Sequence, residues 1–279
     1  MIYKKSFTPE EFSPEVILNS GQVFRMQKDT GAKNGLPDIY SAYSGNNDIM
    51  FYLNKDTDTW DFVCDKKQWE FWQSYFDFER DYGLYNQKIL ESEDVFLKDA
   101  LRFSFGMRIL RQDLWETFIS YMVSQNNNIP KIKKTLKTLT ERYSDGIHFP
   151  DAKILSQIPL EELKEGTALG YRAEYICEFS KRVATGDIIL EDFYGLEADA
   201  AYDKLLEIKG IGPKVANCIM LYGLHAMDSY PVDTWMKKII TEDYGHMKQA
   251  EYMDYINLSY PGYQGYIQQL QFYYKRNKK

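Results

Sequence analysis

The sequence has few of the residues that metal or disulfide chemistry requires. It contains three cysteines, Cys64, Cys177 and Cys218, and three histidines, His148, His225 and His246. The cysteines are odd in number, far apart and never spaced C-x-x-C, which argues against a disulfide framework and against a thiolate zinc or iron–sulfur site. The histidines are equally scattered, so metal-dependent hydrolysis is not expected. No window approaches the roughly 18 consecutive apolar residues of a membrane span. The first residues, MIYKKSFTPEEFSPEV, carry acids and no apolar signal core. The expected product is soluble and intracellular, with no membrane contact.

What is present describes a packed protein. At roughly 150 residues per domain, a chain of 279 suggests about two domains. It is 44% apolar and 16% aromatic, with a net charge of -7, which excludes a disordered chain. The acidity is local: residues 56–94 hold eleven Asp or Glu against four Lys or Arg, a sum of -7 that accounts for the whole imbalance. Residues 126–142 (NNNIPKIKKTLKTLTER) carry five basic groups against one acid, and the tail KRNKK adds four more. Such asymmetry lets a polyanion approach one face; the plain alternative is a solvated, lysine-rich helix.

The first hundred residues read as short alternating runs broken by turns: IYSAYS, the turn GNND, IMFYLN and TWDFVC. Period-two alternation of Tyr, Phe, Trp and Val predicts an antiparallel sheet. From Lys67 the period becomes helical, with Trp69, Trp72, Tyr75 and Phe76 spaced three, three and one apart. Helices are predicted at about 87–104, 113–125, 131–143, 151–158, 172–185, 200–208, 213–226, 233–244 and 263–276. The fold class is therefore α+β: an N-terminal antiparallel β-sheet domain with flanking helices over 1–105, then an α-helical bundle over 106–279. No low-complexity linker separates them, so they are expected to pack together.

The segment richest in chemical meaning is LLEIKGIGPKVANCIMLYG, residues 205–223. A helix ending near Ile208 meets Gly210-Ile211-Gly212, and Pro213 opens a second helix, the stop and start signals of a tight helical hairpin. Without Cβ atoms in the way, the backbone N–H groups of such a hairpin can point at a phosphate oxygen. An ordinary helix corner needs the same glycines. Lys214 follows at the positive end of the second helix's dipole, which disfavours an ammonium, and nineteen residues later Pro231-Val232-Asp233 opens another helix. An amine and a carboxylate are thus offered to one site. An amine nucleophile must be neutral, and an ordinary lysine ammonium costs about 4.6 kcal/mol to deprotonate at pH 7, so burial or the dipole has to assist. A surface lysine and a helix N-cap are the plain alternatives for the two residues.

Together with KGIGPKVANCI and PVDTWM, the motifs SGQVFRM (20–26), GMRILRQD (106–113), SQNNNIPKI (124–132), GYRAEY (170–175) and GYIQQLQF (265–272) make the chain resemble the helix-hairpin-helix DNA glycosylases. Within them it is similar to the 8-oxoguanine DNA glycosylase/AP lyases of the eukaryotic type, which some bacteria and archaea also carry. The resemblance covers nearly the whole chain. It implies two helical sub-bundles, with the C-terminal helix closing a base pocket, and a base excision repair enzyme that flips 8-oxoguanine out of duplex DNA.

By that resemblance Lys214 attacks C1′, expels the base and forms a Schiff base that permits β-elimination, while Asp233 stabilises the developing oxocarbenium charge. Cys218 and Phe272 cover the two faces of the flipped base, and Gln268 reads its Watson–Crick edge. The Gly21 carbonyl accepts from N7–H of the lesion and repels N7 of guanine. Asn126 fills the gap left by the flipped base, with Tyr171 as a wedge and Arg172 contacting the estranged cytosine. Gly210 and Gly212 meet the DNA backbone. Two positions depart from the animal enzymes: Lys131 stands where they have an Arg that contacts the opposite base, and Trp235 where they have a His near a phosphate. The plain alternatives are core packing for Cys218 and Phe272, a turn glycine for Gly21, a helix C-cap for Asn126, a core Tyr171 and a surface Arg172.

The resemblance requires no cofactor and no catalytic metal, with a structural monovalent cation at the hairpin as its one inorganic possibility. The expected partner is double-stranded DNA containing oxidised guanine, the expected state a monomer, and the expected location a DNA-containing compartment, cytoplasm or nucleoid in a prokaryote. Two other readings stay open: a monofunctional alkylated-base glycosylase on the same fold, which has no need of Lys214, and a non-enzymatic DNA-binding helix-hairpin-helix protein.

Overall fold

A computed structural model of the protein describes residues 1–30 and 37–278, so the last lysine of the basic tail lies outside the described residues. Five strands, β1 (Ile2–Lys5), β2 (Met26–Asp29), β3 (Ile39–Ser44), β4 (Asn47–Asn54) and β5 (Thr59–Val63), form one sheet in the order β1-β5-β4-β3-β2. Every pairing is antiparallel. The turn predicted at GNND is a two-residue hairpin: Ser44 pairs with Asn47, and Gly45 takes a φ of +55°.

Helices account for most of the rest: α1 (Pro14–Asn19), α2 (Trp69–Tyr75), α3 (Gly83–Glu91), α4 (Val95–Phe103), α5 (Leu114–Ser124), α6 (Ile129–Tyr143), α7 (Ala152–Gln157), α8 (Leu160–Thr167), α9 (Arg172–Ala184), α10 (Ala198–Leu206), α11 (Pro213–Tyr222), α12 (Thr234–Glu242), α13 (Gln249–Ser259) and α14 (Gln264–Asn277). The predicted helix at 87–104 is two helices. Asp94 ends the continuity because its Oδ1 accepts from Leu97 N at 2.8 Å, capping α4. The helix expected at 131 begins at Ile129, with Pro130 in its first turn and Asn128 Oδ1 accepting from Lys131 N at 3.0 Å. The helix expected to reach 226 stops at Tyr222, where Gly223 follows and His225 turns to a φ of +56°.

Five elements have no range among those expected, although a helix before Gly21 and a strand after it were expected. Strand β1 has four residues and β2 four, α1 has six, and α8 and α13 each bury only two side chains, Leu163 with Thr167 and Tyr252 with Ile256. In α13 such a narrow stripe leaves little amphipathic contrast, whereas α8 is amphipathic but only eight residues long.

The apolar faces assemble two cores. Alternate residues Tyr40 and Ala42 of β3, Ile49 and Phe51 of β4 and Phe62 of β5 pack with Phe12, Trp72, Tyr75 and Phe76. A larger core runs through the helices. The two interlock, since Leu110 lies in the sheet core and Phe24, beside β2, lies in the helical core.

A buried ion pair ties the regions together. Arg25 Nη1 donates to Glu116 Oε2 of α5 at 2.7 Å, and Gly45 N donates to the same oxygen at 2.9 Å. The Arg25 guanidinium also sits over the rings of Tyr43 and Phe149. Burial pushes the Glu116 carboxyl from its ordinary 4.5 up to about 7, against the pull of Arg25. Glu116→Ala strands a buried cation and lowers unfolding free energy by about 3 kcal/mol or more, whereas Glu116→Gln keeps an acceptor and costs less. Because the folded pKa is raised, the stabilisation that protonation of Glu116 supplies is complete below pH 4.5 and lost as pH rises through about 7. Urea titrations should therefore show the stability difference between wild type and Glu116→Gln shifting against the wild type across that window.

Candidate active site

Gly21 lies in the turn between α1 and β2, at a φ of +85° that favours glycine. The helical region holds this turn on both sides. Gln269 Nε2 donates to Ser20 O at 2.8 Å, while Gln112 Nε2 and Tyr121 Oη donate to Gln22 O at 2.8 and 3.2 Å. The Gln22 amide spans Arg108 O and Leu110 N, both at 2.9 Å. Three of the sequence motifs therefore meet at one turn, and among the described residues nothing donates to the Gly21 carbonyl.

The hairpin supplies the amine. Gly210 has a φ of +88°, and a Cβ there would stand 2.5 Å from the Tyr175 ring, so the hairpin backs directly onto α9. Gly212 differs: its φ is not positive and a Cβ would meet nothing within 4 Å, so the protein itself does not demand glycine there. Lys214 follows in the first turn of α11, where Nζ donates to Ser124 Oγ at 3.3 Å and stands 5.4 Å from the Tyr121 ring centre. The Ser124 hydroxyl spends its proton on Tyr121 O at 2.8 Å, leaving its lone pairs to the amine.

Asp233 is the N-cap of α12, as the simpler reading held. One oxygen, Oδ1, accepts from Trp235 N and Met236 N, each at 2.9 Å. This fixes the carboxylate and leaves Oδ2 outside the cap.

Lys214 and Asp233 line the same cavity, of ≈ 920 Å³, whose wall also includes Gly21, Asn126, Gly212 and Phe272. Cys218 and Gln268 are each 4% exposed and are not part of that wall. Burial pushes the Cys218 thiol up, and Lys214, one helical turn before it, pulls the other way. The buried Gln268 Oε1 has no donor, an orphaned acceptor one turn before Phe272.

The remaining positions gather at one end of the site. Asn126 takes a φ of +45° just beyond the α5 cap residue, Gln125, and its Nδ2 donates to Tyr171 Oη at 3.2 Å. Arg172 lies 4.7 Å from the Tyr171 ring centre and donates from Nε to Gln125 O at 2.8 Å and from Nη2 to Asn126 O at 3.1 Å. Tyr171 is 45% exposed, which removes the core-packing alternative. Lys131 is exposed on the first turn of α6.

The model of the N-terminal domain of 8-oxoguanine DNA glycosylase matches residues 5–118, and that of the HhH-GPD superfamily of base excision DNA repair proteins matches residues 119–259. The chain belongs to the HhH-GPD superfamily. An N-glycosylase/DNA lyase of Saccharomyces cerevisiae is 32% identical over 180 residues, which is 58% of this chain and 47% of that protein. The chain spans between 40% and 66% of the length of the curated relatives it matches. Among solved structures, MBOgg1 in complex with a low-affinity DNA ligand is 30% identical with a TM-score of 0.86, covering 99% of this chain and 98% of that one. The Clostridium acetobutylicum 8-oxoguanine glycosylase/lyase, in complex with double-stranded DNA containing cytosine opposite 8-oxoG, is 28% identical with a TM-score of 0.84, covering 99% and 97%.

Within this HhH-GPD site, sequence reasoning missed Ser124, Gln125 and Arg276. The first two lie inside SQNNNIPKI, where neighbouring asparagines drew the attention. Arg276 lies four residues, one helical turn, beyond Phe272; its guanidinium is 5.2 Å from that ring centre, Nη2 donates to Asn19 O, and Nη1 is buried without an acceptor. A Cβ on Gly21 would stand 2.7 Å from Arg276 Nη1, 3.1 Å from Ile129 Cδ1 and 3.2 Å from Phe272 Cε1. Gly21→Ala therefore combines an unfavourable φ with a crowded slot. It should lower unfolding free energy by at least about 1 kcal/mol in chemical denaturation.

Proposed function

We propose that this chain excises 8-oxoguanine from duplex DNA through a Lys214 Schiff base and then nicks the abasic strand by β-elimination. The observation that carries the reading is one cavity bounded by an amine, a carboxylate, an aromatic ring and a glycine turn: Lys214, Asp233, Phe272 and Gly21. Amine and carboxylate together serve displacement at a sugar carbon, while ring and turn serve a flat heterocycle.

The neutral Lys214 amine attacks C1′ as the glycosidic bond breaks, and the base leaves with the bonding pair and takes up a proton. Cationic character grows at C1′ and the ring oxygen in this step, and an Asp233 carboxylate already locked by two backbone N–H groups stabilises it without reorganising. After the nitrogen loses a proton, its lone pair forms the C1′=N bond of the iminium as the C1′–O4′ bond breaks and O4′ takes up a proton. Abstraction of a C2′ proton then expels the 3′ phosphate, and water releases the lysine.

Flipping the nucleotide costs a few kcal/mol, which the pocket must return. Phe272 offers one stacking face from the cavity wall; Cys218 and Gln268 lie buried outside that wall, so a base reaches them only if the pocket opens, and the orphaned Gln268 Oε1 then suits an N–H donor on the base edge. The Gly21 carbonyl discriminates by accepting from N7–H of the lesion; repulsion of the guanine N7 lone pair is worth about 1–3 kcal/mol. Open space at Gly212 suits a close DNA backbone. Asn126, Tyr171 and Arg172 lie together where the orphaned base would be met. The hairpin carbonyls of Ile208 and Gly210 already accept from Ile211 N and Gln125 Nε2, and no step of this scheme uses a cation there. Among the described residues no helix is long and apolar enough to cross a membrane. A monomer acting in the DNA-containing compartment completes the reading.

Incubation with duplexes carrying 8-oxoguanine opposite each of the four bases, with borohydride trapping, tests it. Wild type should yield a covalent adduct and a nicked strand; abasic product without adduct would favour a monofunctional glycosylase, and an intact duplex a pure DNA-binding module. Lys214→Gln should abolish trapping and base release, and Asp233→Asn should slow base release by roughly tenfold or more. Because Lys131 cannot make a forked contact with a base edge, preference for cytosine over the other three partners should be weak, and Lys131→Arg should sharpen it.

A further inference from the structure

Three consecutive residues at the end of α5 each hold a different part of the site. Ser124 Oγ accepts from Lys214 Nζ, Gln125 Nε2 donates to Gly210 O at 2.9 Å, and Asn126 Nδ2 donates to Tyr171 Oη. The second N–H of the Gln125 amide donates to Met122 O at 3.2 Å, so that both hydrogens are committed, one to its own helix and one to the hairpin. The Tyr175 ring fills the space where a Cβ on Gly210 would stand, so the hairpin is packed closely at this residue.

Contact with an orphaned base changes the load on this turn. An Asn126 side chain inserted into the duplex gap gives up Tyr171, and an Arg172 turned toward the DNA gives up the carbonyls of Gln125 and Asn126. Two side-chain links then join the end of α5 to the hairpin, Ser124 to the Lys214 amine itself and the Gln125 amide to the Gly210 carbonyl, and the second is the one that bears on the hairpin backbone. A shift at residue 126 reaches Gly210 through it and continues into the first turn of α11, four residues on, where Lys214 sits. Displacements of about 1 Å at a reacting atom are enough to change a rate a hundredfold.

We propose that Gln125 is a positioning residue that couples entry of Asn126 into the duplex gap to alignment of the Lys214 amine. The inference rests on the glycosylase/lyase reading and adds to it a link from the orphaned base to the nucleophile.

A double-mutant cycle in the full chain tests the link, using single-turnover base release from a duplex with 8-oxoguanine opposite cytosine. Gln125→Met keeps length and removes both donors; Gln125→Glu keeps shape and turns a carboxylate oxygen toward the Gly210 carbonyl. Either variant, and Asn126→Ala, should slow base release about tenfold, while the double variants should be no more than about threefold slower than the slower single. The Gln125 variants should lose kcat and leave KM, duplex affinity and melting temperature close to wild type. Independent, multiplying effects of the two sites, a loss confined to KM, or full activity in both Gln125 variants overturns the inference. A wild-type chain that releases no 8-oxoguanine from any duplex overturns the parent reading instead.

Discussion

The site depends on how one largely buried turn is held by distant side chains. Ser20 and Gln22 flank Gly21, and their carbonyls accept from Gln269 and Gln112, partners 249 and 90 residues away in the sequence. Backbone carbonyls in a turn have no ladder to satisfy them, and an unpaired buried carbonyl is costly. Amide side chains from the bundle therefore do two things with the same bonds. They satisfy the turn, and they fix where the intervening Gly21 carbonyl stands relative to Phe272 on α14. A sheet domain that moved as an independent body could not keep that distance.

The interlocked cores serve the same end. Leu110 packs under the sheet and Phe24 packs among the helices, while the Arg25–Glu116 pair crosses between them. Burying a carboxylate is expensive, as the upward push on Glu116 records, and a pair of this kind contributes registry more than stability. Its neighbours Gly45 and Ile147 also bond to it, so the hairpin tip of the sheet and the loop after α6 are located by the same two charges.

Several residues serve stability and chemistry with different atoms. Asp233 caps α12 with Oδ1, Tyr121 bonds Gln22 O with its hydroxyl and offers its ring to Lys214, and Ser124 closes its helix while receiving the amine. For such residues a structural role and the proposed chemical one are compatible, because they use different atoms. A helix cap suits a catalytic carboxylate because two backbone N–H groups hold it in place before any charge develops.

Local signals settled a good deal in advance. Alternating aromatic strands, the Gly45 turn, the helical hairpin with Pro213 and the capping position at Asp233 follow from residues that interact within a few positions of one another, so a linear reading reaches them. The family resemblance singled out Phe272, which lines the cavity, and Cys218, which stays buried outside its wall; nothing local distinguishes either from any other packed side chain. Short elements and narrow apolar stripes escaped, because α8 and α13 are held mainly by what they pack against. Only the folded chain decided that Gly210 is required by the Tyr175 ring while Gly212 faces open space, and that Gln125 reaches the hairpin. It also turned Arg172 inward onto the carbonyls of Gln125 and Asn126, as well as that of nearby Leu169. Apart from the Leu169 bond, those facts join residues 35 or more positions apart, and contacts closed by tertiary packing leave no periodicity or spacing for the sequence to carry.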